Sequence, residues 1–208
     1  MTLSFTAAQA STVFDFTSGS TGYTYGNLGY SEDGIGLDVS AGRYLNGNVI
    51  DWGKIAQINN YGLAILNGPN DNTHQIDGGP SGTGHKDVAV FQFSKAVTLE
   101  SISFTFNSNN DQFALFFDIG DNGSLNLINS SLDANPTDSY EFLGALLFSG
   151  DLFGIGALHY TDDFKIASIT VSGVSAVPVP AALPLFGSGL AILGFMGWRR
   201  KKRQSANA

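Results

Sequence analysis

From residue 12 to residue 174 the chain is a succession of short runs rich in β-branched and aromatic residues, separated by clusters of glycine, asparagine, aspartate and serine. The runs are TVFDF (12–16), IGLDV (35–39), GLAIL (62–66), DVAVFQF (87–93), VTLESISFTF (97–106), FALFFDI (113–119), SLNLI (124–128) and DFKIASITVSGV (163–174). Side chains of this kind fit a pleated, half-buried surface. Alternation is cleanest where Ile102, Phe104 and Phe106 interleave with Ser101, Ser103 and Thr105, and again where Ile169 and Val171 lie between Ser168, Thr170 and Ser172. A period of two sends one set of side chains to a buried face and the other to solvent. LNGNVID, GPNDNTHQIDGGPSGTG, NSNND and GDNGS carry the residues that turns and loops require. With 26 glycines and no long amphipathic helix, the predicted body is an all-β sandwich, jelly-roll-like, over residues 11–176. EFLGALLFSGDLFGIGALHY (141–160) fits either a short helix or two strands.

The last thirty residues differ in kind. Val177, Pro178, Val179 and Pro180 lead into an uncharged apolar segment of eighteen residues, Ala181 to Trp198, followed at once by Arg199, Arg200, Lys201, Lys202 and Arg203. At about 1.5 Å rise per residue, a helix over 181–198 crosses roughly the hydrocarbon thickness of a bilayer. Clustered Lys and Arg favour keeping the basic end in the cytoplasm, so the body faces outward. Trp198 suits the membrane interface, and Pro184 falls in the first helical turn, where a missing amide donor costs little. The proline pair keeps the stretch before the span extended and open to a protease. At the other end, MTLSFTAAQA lacks a basic n-region, yet Ala8 and Ala10 form the small-x-small pattern of a signal peptidase site. Residues 1–10 are therefore expected to be the remnant of a signal peptide with its start upstream, and the mature chain to begin near Ser11.

The tail VPVPAALPLFGSGLAILGFMGWRRKKR (177–203) resembles the PEP-CTERM sorting signal of Gram-negative bacteria, the substrate of the membrane transpeptidase exosortase. Motif, span and basic tail occur in order, and Val179 stands where the commonest motif has Glu. The resemblance implies export through the inner membrane, a transient single-pass anchor, and removal of the tail near the proline motif as the body passes to the cell surface or extracellular matrix. A second stretch, GLAIL (62–66), HQID (74–77) and KDVAVFQFSKAVTLESISF (86–104), is similar to a pattern in many PEP-CTERM surface proteins, with Ala64 where glycine is usual. It implies a β-rich body and carries no assigned activity.

Charge and motifs narrow the body's chemistry. All 18 acidic residues lie in it, against Arg43, Lys54, Lys86, Lys95 and Lys165, which leaves a formal charge of −13. That argues against nucleic acid and anionic lipid as partners of the body. The chain has no cysteine, hence no disulfide, thiol nucleophile or thiolate zinc site. It has no Gly-x-Ser-x-Gly elbow, no His-Glu-x-x-His helix and no phosphate-cradling glycine loop. His74 and His85 share one glycine-rich loop, and a transition-metal site there ranks below a hydrogen-bonding role. Asp77 and Asp87 offer an acid and base for a glycosidic bond, but Asp77 before Gly78 and Gly79 also suits a turn cap. The body is therefore read as non-catalytic, with no cofactor required. Calcium is the metal that oxygen donors favour, with Asp118, Asp121 and Asn122 in one turn and Asp77 as candidates. Carbohydrate binding, with exopolysaccharide as partner, is the alternative function. Tyr23, Tyr25, Tyr30, Tyr44, Trp52 and Tyr61 crowd the first third, and Trp52 is the first candidate to stack on a sugar ring.

Overall fold

The computed structural model describes residues 10–66, 74–79, 86–108, 110–134, 139–143 and 148–173. They fall in one compact unit, Met1–Val174; the expected sorting motif (177–180), apolar span (181–198) and basic cluster (199–203) fall in a second, Ser175–Ala208, and lie outside the described residues. Residues 1–9 of the expected signal-peptide remnant (1–10) and His85 lie outside them too.

Among the described residues there is no helix. The strands are β1 (Ser11–Asp15), β2 (Gly22–Thr24), β3 (Leu28–Glu32), β4 (Ile35–Leu45), β5 (Asn48–Asp51), β6 (Lys54–Ile58), β7 (Gly62–Leu66), β8 (Ile76–Asp77), β9 (Asp87–Thr105), β10 (Gln112–Phe117), β11 (Asn126–Asp133), β12 (Tyr140–Glu141), β13 (Ser149–Gly156) and β14 (Asp163–Gly173). The body is all-β, built on one large antiparallel sheet whose main path runs β11-β10-β13-β9-β14-β7-β6-β2. β4 joins at β9 and carries β3 and β5, while β1 and β8 pair with β14 and β12 with β9.

β9 organises this sheet. Its first part, Asp87 to Phe93, runs between β4 and β13, and its last part, Val97 to Thr105, pairs with β14. Ser94, Lys95 and Ala96 between them are exposed. The sequence reads as two strands here because three exposed residues break the hydrophobic pattern, whereas the backbone stays extended. Phe14 of β1 meets Phe93 of β9 at 5.8 Å, and Phe104 of β9 meets Phe113 of β10 at 5.0 Å, although neither pair of strands is hydrogen-bonded. Both parts of β9 thus face one core, an arrangement consistent with a sandwich. Phe14, Phe16, Phe91, Phe113, Phe116, Phe142, Phe153 and Phe164 are fully buried. At about 1.5–3 kcal/mol for each large apolar side chain removed from water, these rings dominate the core.

A register shift between Thr170 and Val171, opposite Ser101 and Leu99, leaves Glu100 as an extra residue on β9. Such a bulge changes which parity points inward. Val97 and Leu99 are buried before it, Ile102 and Phe104 after it. Phe106, expected to continue that buried face, does not: β9 ends at Thr105, and Phe106 takes φ 53° and is 53% exposed. The left-handed backbone there turns its ring out onto Tyr61, 4.7 Å away. The ambiguous stretch after Tyr140 resolves into β12 and β13, with no helix among its described residues. Two tight hairpins carry the turn residues their geometry requires. Asp33-Gly34 (φ 49° and 72°) joins Glu32 to Ile35, and Asn46-Gly47 (φ 51° and 89°) joins Leu45 to Asn48.

Candidate functional site

The structure divides the six aromatic residues of the first third. Tyr30 belongs to the interior: its ring meets Phe16 at 5.0 Å, its hydroxyl donates to Gln57 Oε1 at 3.0 Å, and burial pushes its pKa up to about 12. Tyr44 packs on Phe116 at 5.3 Å and Tyr61 edge-on against Phe106. Four of the six are exposed, Tyr23 at 64%, Tyr25 at 75%, Tyr61 at 44% and Trp52 at 43%. β2 lies at one end of the sheet's path, and its register against β6 pairs Tyr23 with Ala56 and Thr24 with Ile55. Ile55 is fully buried, so alternation sends its neighbour Lys54 to the outer face beside the tyrosines. The Lys54 ammonium lies 4.8 Å from the Tyr23 ring centre and 4.5 Å from that of Tyr25. Trp52 precedes Lys54 by two residues, its backbone N–H donates to the Ala41 carbonyl at 3.2 Å, and the Arg43 guanidinium sits over its ring at 5.3 Å.

The calcium candidates are not gathered into one group. Asp118 is buried at the end of β10, and its carboxylate accepts N–H bonds from Gly120 (3.1 Å), Asn122 (3.2 Å) and Gly123 (2.6 Å). Burial on its own would raise its pKa, but the amides of Asn122, Gly123, Gly120 and Asp121 together outweigh it and hold the carboxyl below its ordinary value. Asn122 Oδ1 accepts the Ser124 N–H at 2.9 Å, and Asp121 takes φ 52° in the same turn. Asp77 sits elsewhere, on β8, where its N–H donates to the fully buried Asp87 carboxylate at 3.4 Å. Among the described residues no three His, Asp or Glu side chains converge as a metal group.

A polar cluster that sequence reasoning missed lies where β8, β10 and β14 meet. Asp111 and Asp162 are buried. Asp162 accepts the N–H of Gln112 at 3.2 Å and of His159 at 3.0 Å, and Asp111 accepts those of Ser108 and, at 3.4 Å, Asp163. Gln75 reaches Asp163 at 3.2 Å, and the Lys165 ammonium lies 4.0 Å from the Phe106 ring centre. Burial raises the carboxyls of Asp162 and Asp163, and the Asp111 charge adds to the rise in both. Burial also lowers the Lys165 ammonium, against the pull of Asp163. Gly78 anchors this corner through its N–H to the Asp162 carbonyl at 3.1 Å, and a Cβ there would lie 1.8 Å from the His159 carbonyl oxygen. The sequence signal was the acidic step Asp162-Asp163 at the mouth of the last strand, beside a turn.

Fold and surface together define an all-β, acidic protein with exposed aromatic rings that bear cations. No protein-family model matches the chain, and no curated protein or solved structure matches it either.

Proposed function

We propose that this is an exported cell-surface or extracellular-matrix protein of PEP-CTERM type, sorted and processed by an exosortase at residues 177–203, with a non-catalytic, jelly-roll-like sandwich as its body. The observation that carries the reading is the order of the tail: Val177-Pro178-Val179-Pro180, an uncharged apolar segment, then Arg199 to Arg203. The body's formal −13 and its lack of cysteine agree with a hydrated, polyanionic exterior. No cofactor is required, and calcium enters only as a bound stabiliser. A melting temperature that falls on adding EDTA supports calcium; one that stays put removes it.

The test is the intact mass of protein recovered from outside cells that export the chain, with and without the cognate transpeptidase. A species ending near Pro180 that depends on the transpeptidase is expected. An intact C-terminus through Ala208 in both strains overturns the reading in favour of a permanent anchor. A second reading, a carbohydrate-binding module for exopolysaccharide, is favoured by the solvent-facing rings of Tyr23, Tyr25 and Trp52.

A further inference from the structure

We propose that Tyr23, Tyr25 and Lys54, continued by the ring of Trp52, bind an acidic polysaccharide, one whose sugar units carry carboxylates. The proposal rests on the carbohydrate-binding reading and names its ligand class.

The five cations of the body stand against 18 acids, yet four of them lie over aromatic rings: Arg43 on Trp52, Lys54 on Tyr23 and Tyr25, Lys86 on Tyr44 and Lys165 on Phe106. Lys54 is the informative one. Among the described residues its ammonium meets two rings and no carboxylate, so its charge stays available to an anion from outside. Tyr23 lies on an end strand and Tyr25 just past its last residue, Thr24, and they are the rings most open to solvent among these six. The cation between them holds both in place, which reduces the rotamer freedom a ligand would otherwise have to remove. Only Gly53, at φ 86°, separates Lys54 from Trp52, so the second ring-and-cation pair starts within about 7 Å of the first along the backbone.

The chemistry selects the ligand. A pyranose offers a C–H face to an aromatic ring, and a uronate adds a carboxylate at its edge. The rings of Tyr23 and Tyr25 with the Lys54 ammonium beside them satisfy both at once, whereas a neutral sugar leaves that charge unused. Elsewhere the acidic body repels a polyanion, and screening over about 8 Å at physiological salt confines the attraction to this face. Each contact is weak, and a repeating polymer multiplies it through avidity.

Affinity electrophoresis of the full chain in a polyoxyethylene detergent tests this, with polygalacturonate or dextran in the gel and phosphatidylglycerol vesicles in a parallel flotation assay. Polygalacturonate should retard the protein, and dextran and vesicles should not. Tyr23→Ala with Tyr25→Ala should weaken retardation roughly tenfold. Lys54→Gln should weaken it roughly 2–5-fold, with Lys54→Arg restoring it and added salt mimicking the loss. Retardation by dextran alone overturns the acidic ligand while leaving carbohydrate binding standing. No retardation by either polymer overturns both, and flotation with vesicles in place of polymer retardation assigns the face to lipid and overturns the proposal. Should the tyrosine variant unfold, Lys54→Glu decides: unchanged retardation by polygalacturonate overturns the proposal.

Discussion

Asp118 and Asp162 are both buried aspartates at turns, and both accept backbone N–H groups through their carboxylates. Their carboxyls nevertheless shift in opposite directions. At Asp118 the amides of one short loop wrap a single acid, and their combined effect exceeds that of burial. At Asp162 burial is deeper and wins over the amides of Gln112 and His159 and the His159 charge, with the like charge of Asp111 adding a smaller rise. The lesson is that an aspartate in a turn is defined by how deeply it is buried, how many donors converge on it and what other charge shares the space. The Asp118 loop is self-contained, whereas the Asp162 corner ties β8, β10 and β14 together.

If that contrast is right, the corner should be far less tolerant than the loop. Gly78→Ala is the harshest break: its methyl group would sit 1.8 Å from a backbone carbonyl oxygen that has no side-chain freedom to yield. We expect a loss of at least about 3 kcal/mol, read as failure to give a cooperative thermal transition. Near-normal melting would show that the corner is loosely held. Asp162→Ala comes next. Removing its carboxylate leaves the N–H groups of Gln112 and His159 unsatisfied, and a loss of roughly 3 kcal/mol is expected from two such groups in urea titration. Gly123→Ala, in the loop, should cost less, about 1–2 kcal/mol, since its φ of 77° strains an L residue while a Cβ there meets open space. A larger cost for Gly123→Ala than for Asp162→Ala would reverse the comparison.

How much of this was legible follows from what each element depends on. β1, β7 and β14 came through with bounds within about a residue, because their apolar residues sit at strand spacing between clear turn signals. β2, β3 and β5 did not, since Gly22-Tyr23-Thr24 or Leu28-Gly29-Tyr30 holds too few apolar residues to make a pattern; these strands depend on backbone pairing to β6 and β4. Phe106 obeyed the alternation in sequence and lost it in space, because the strand ended one residue earlier than the pattern did. That the aromatics of the first third would include exposed rings was foreseeable, but not which of the six would be exposed: Tyr23, Tyr25, Trp52 and Tyr61 are, whereas Tyr30 is drawn inside by Phe16. Asp111 was passed over as loop composition. Its partners are Asp162 and Asp163, some fifty residues on, and only long-range pairing brings them together.

The smallest effect is also the most discriminating, because it asks for a crossing rather than a size. A free aspartate titrates near 3.9, about where both carboxyls titrate in the unfolded chain. Asp118, held below that value when folded, contributes stability that is present above it and is lost as the pH falls through the folded value. Asp162, raised when folded, contributes stability that is fully present below about 3.9 and is lost as the pH rises through the folded value. Replacing either by Asn removes its own dependence and leaves the rest. The deficit of Asp118→Asn relative to the unaltered chain should therefore shrink as the pH is lowered, whereas that of Asp162→Asn should shrink as it is raised. Urea midpoints of both variants between about pH 3 and pH 7 follow the two deficits directly, and deficits that move the same way would mean that donors and neighbouring charge do not separate these two acids.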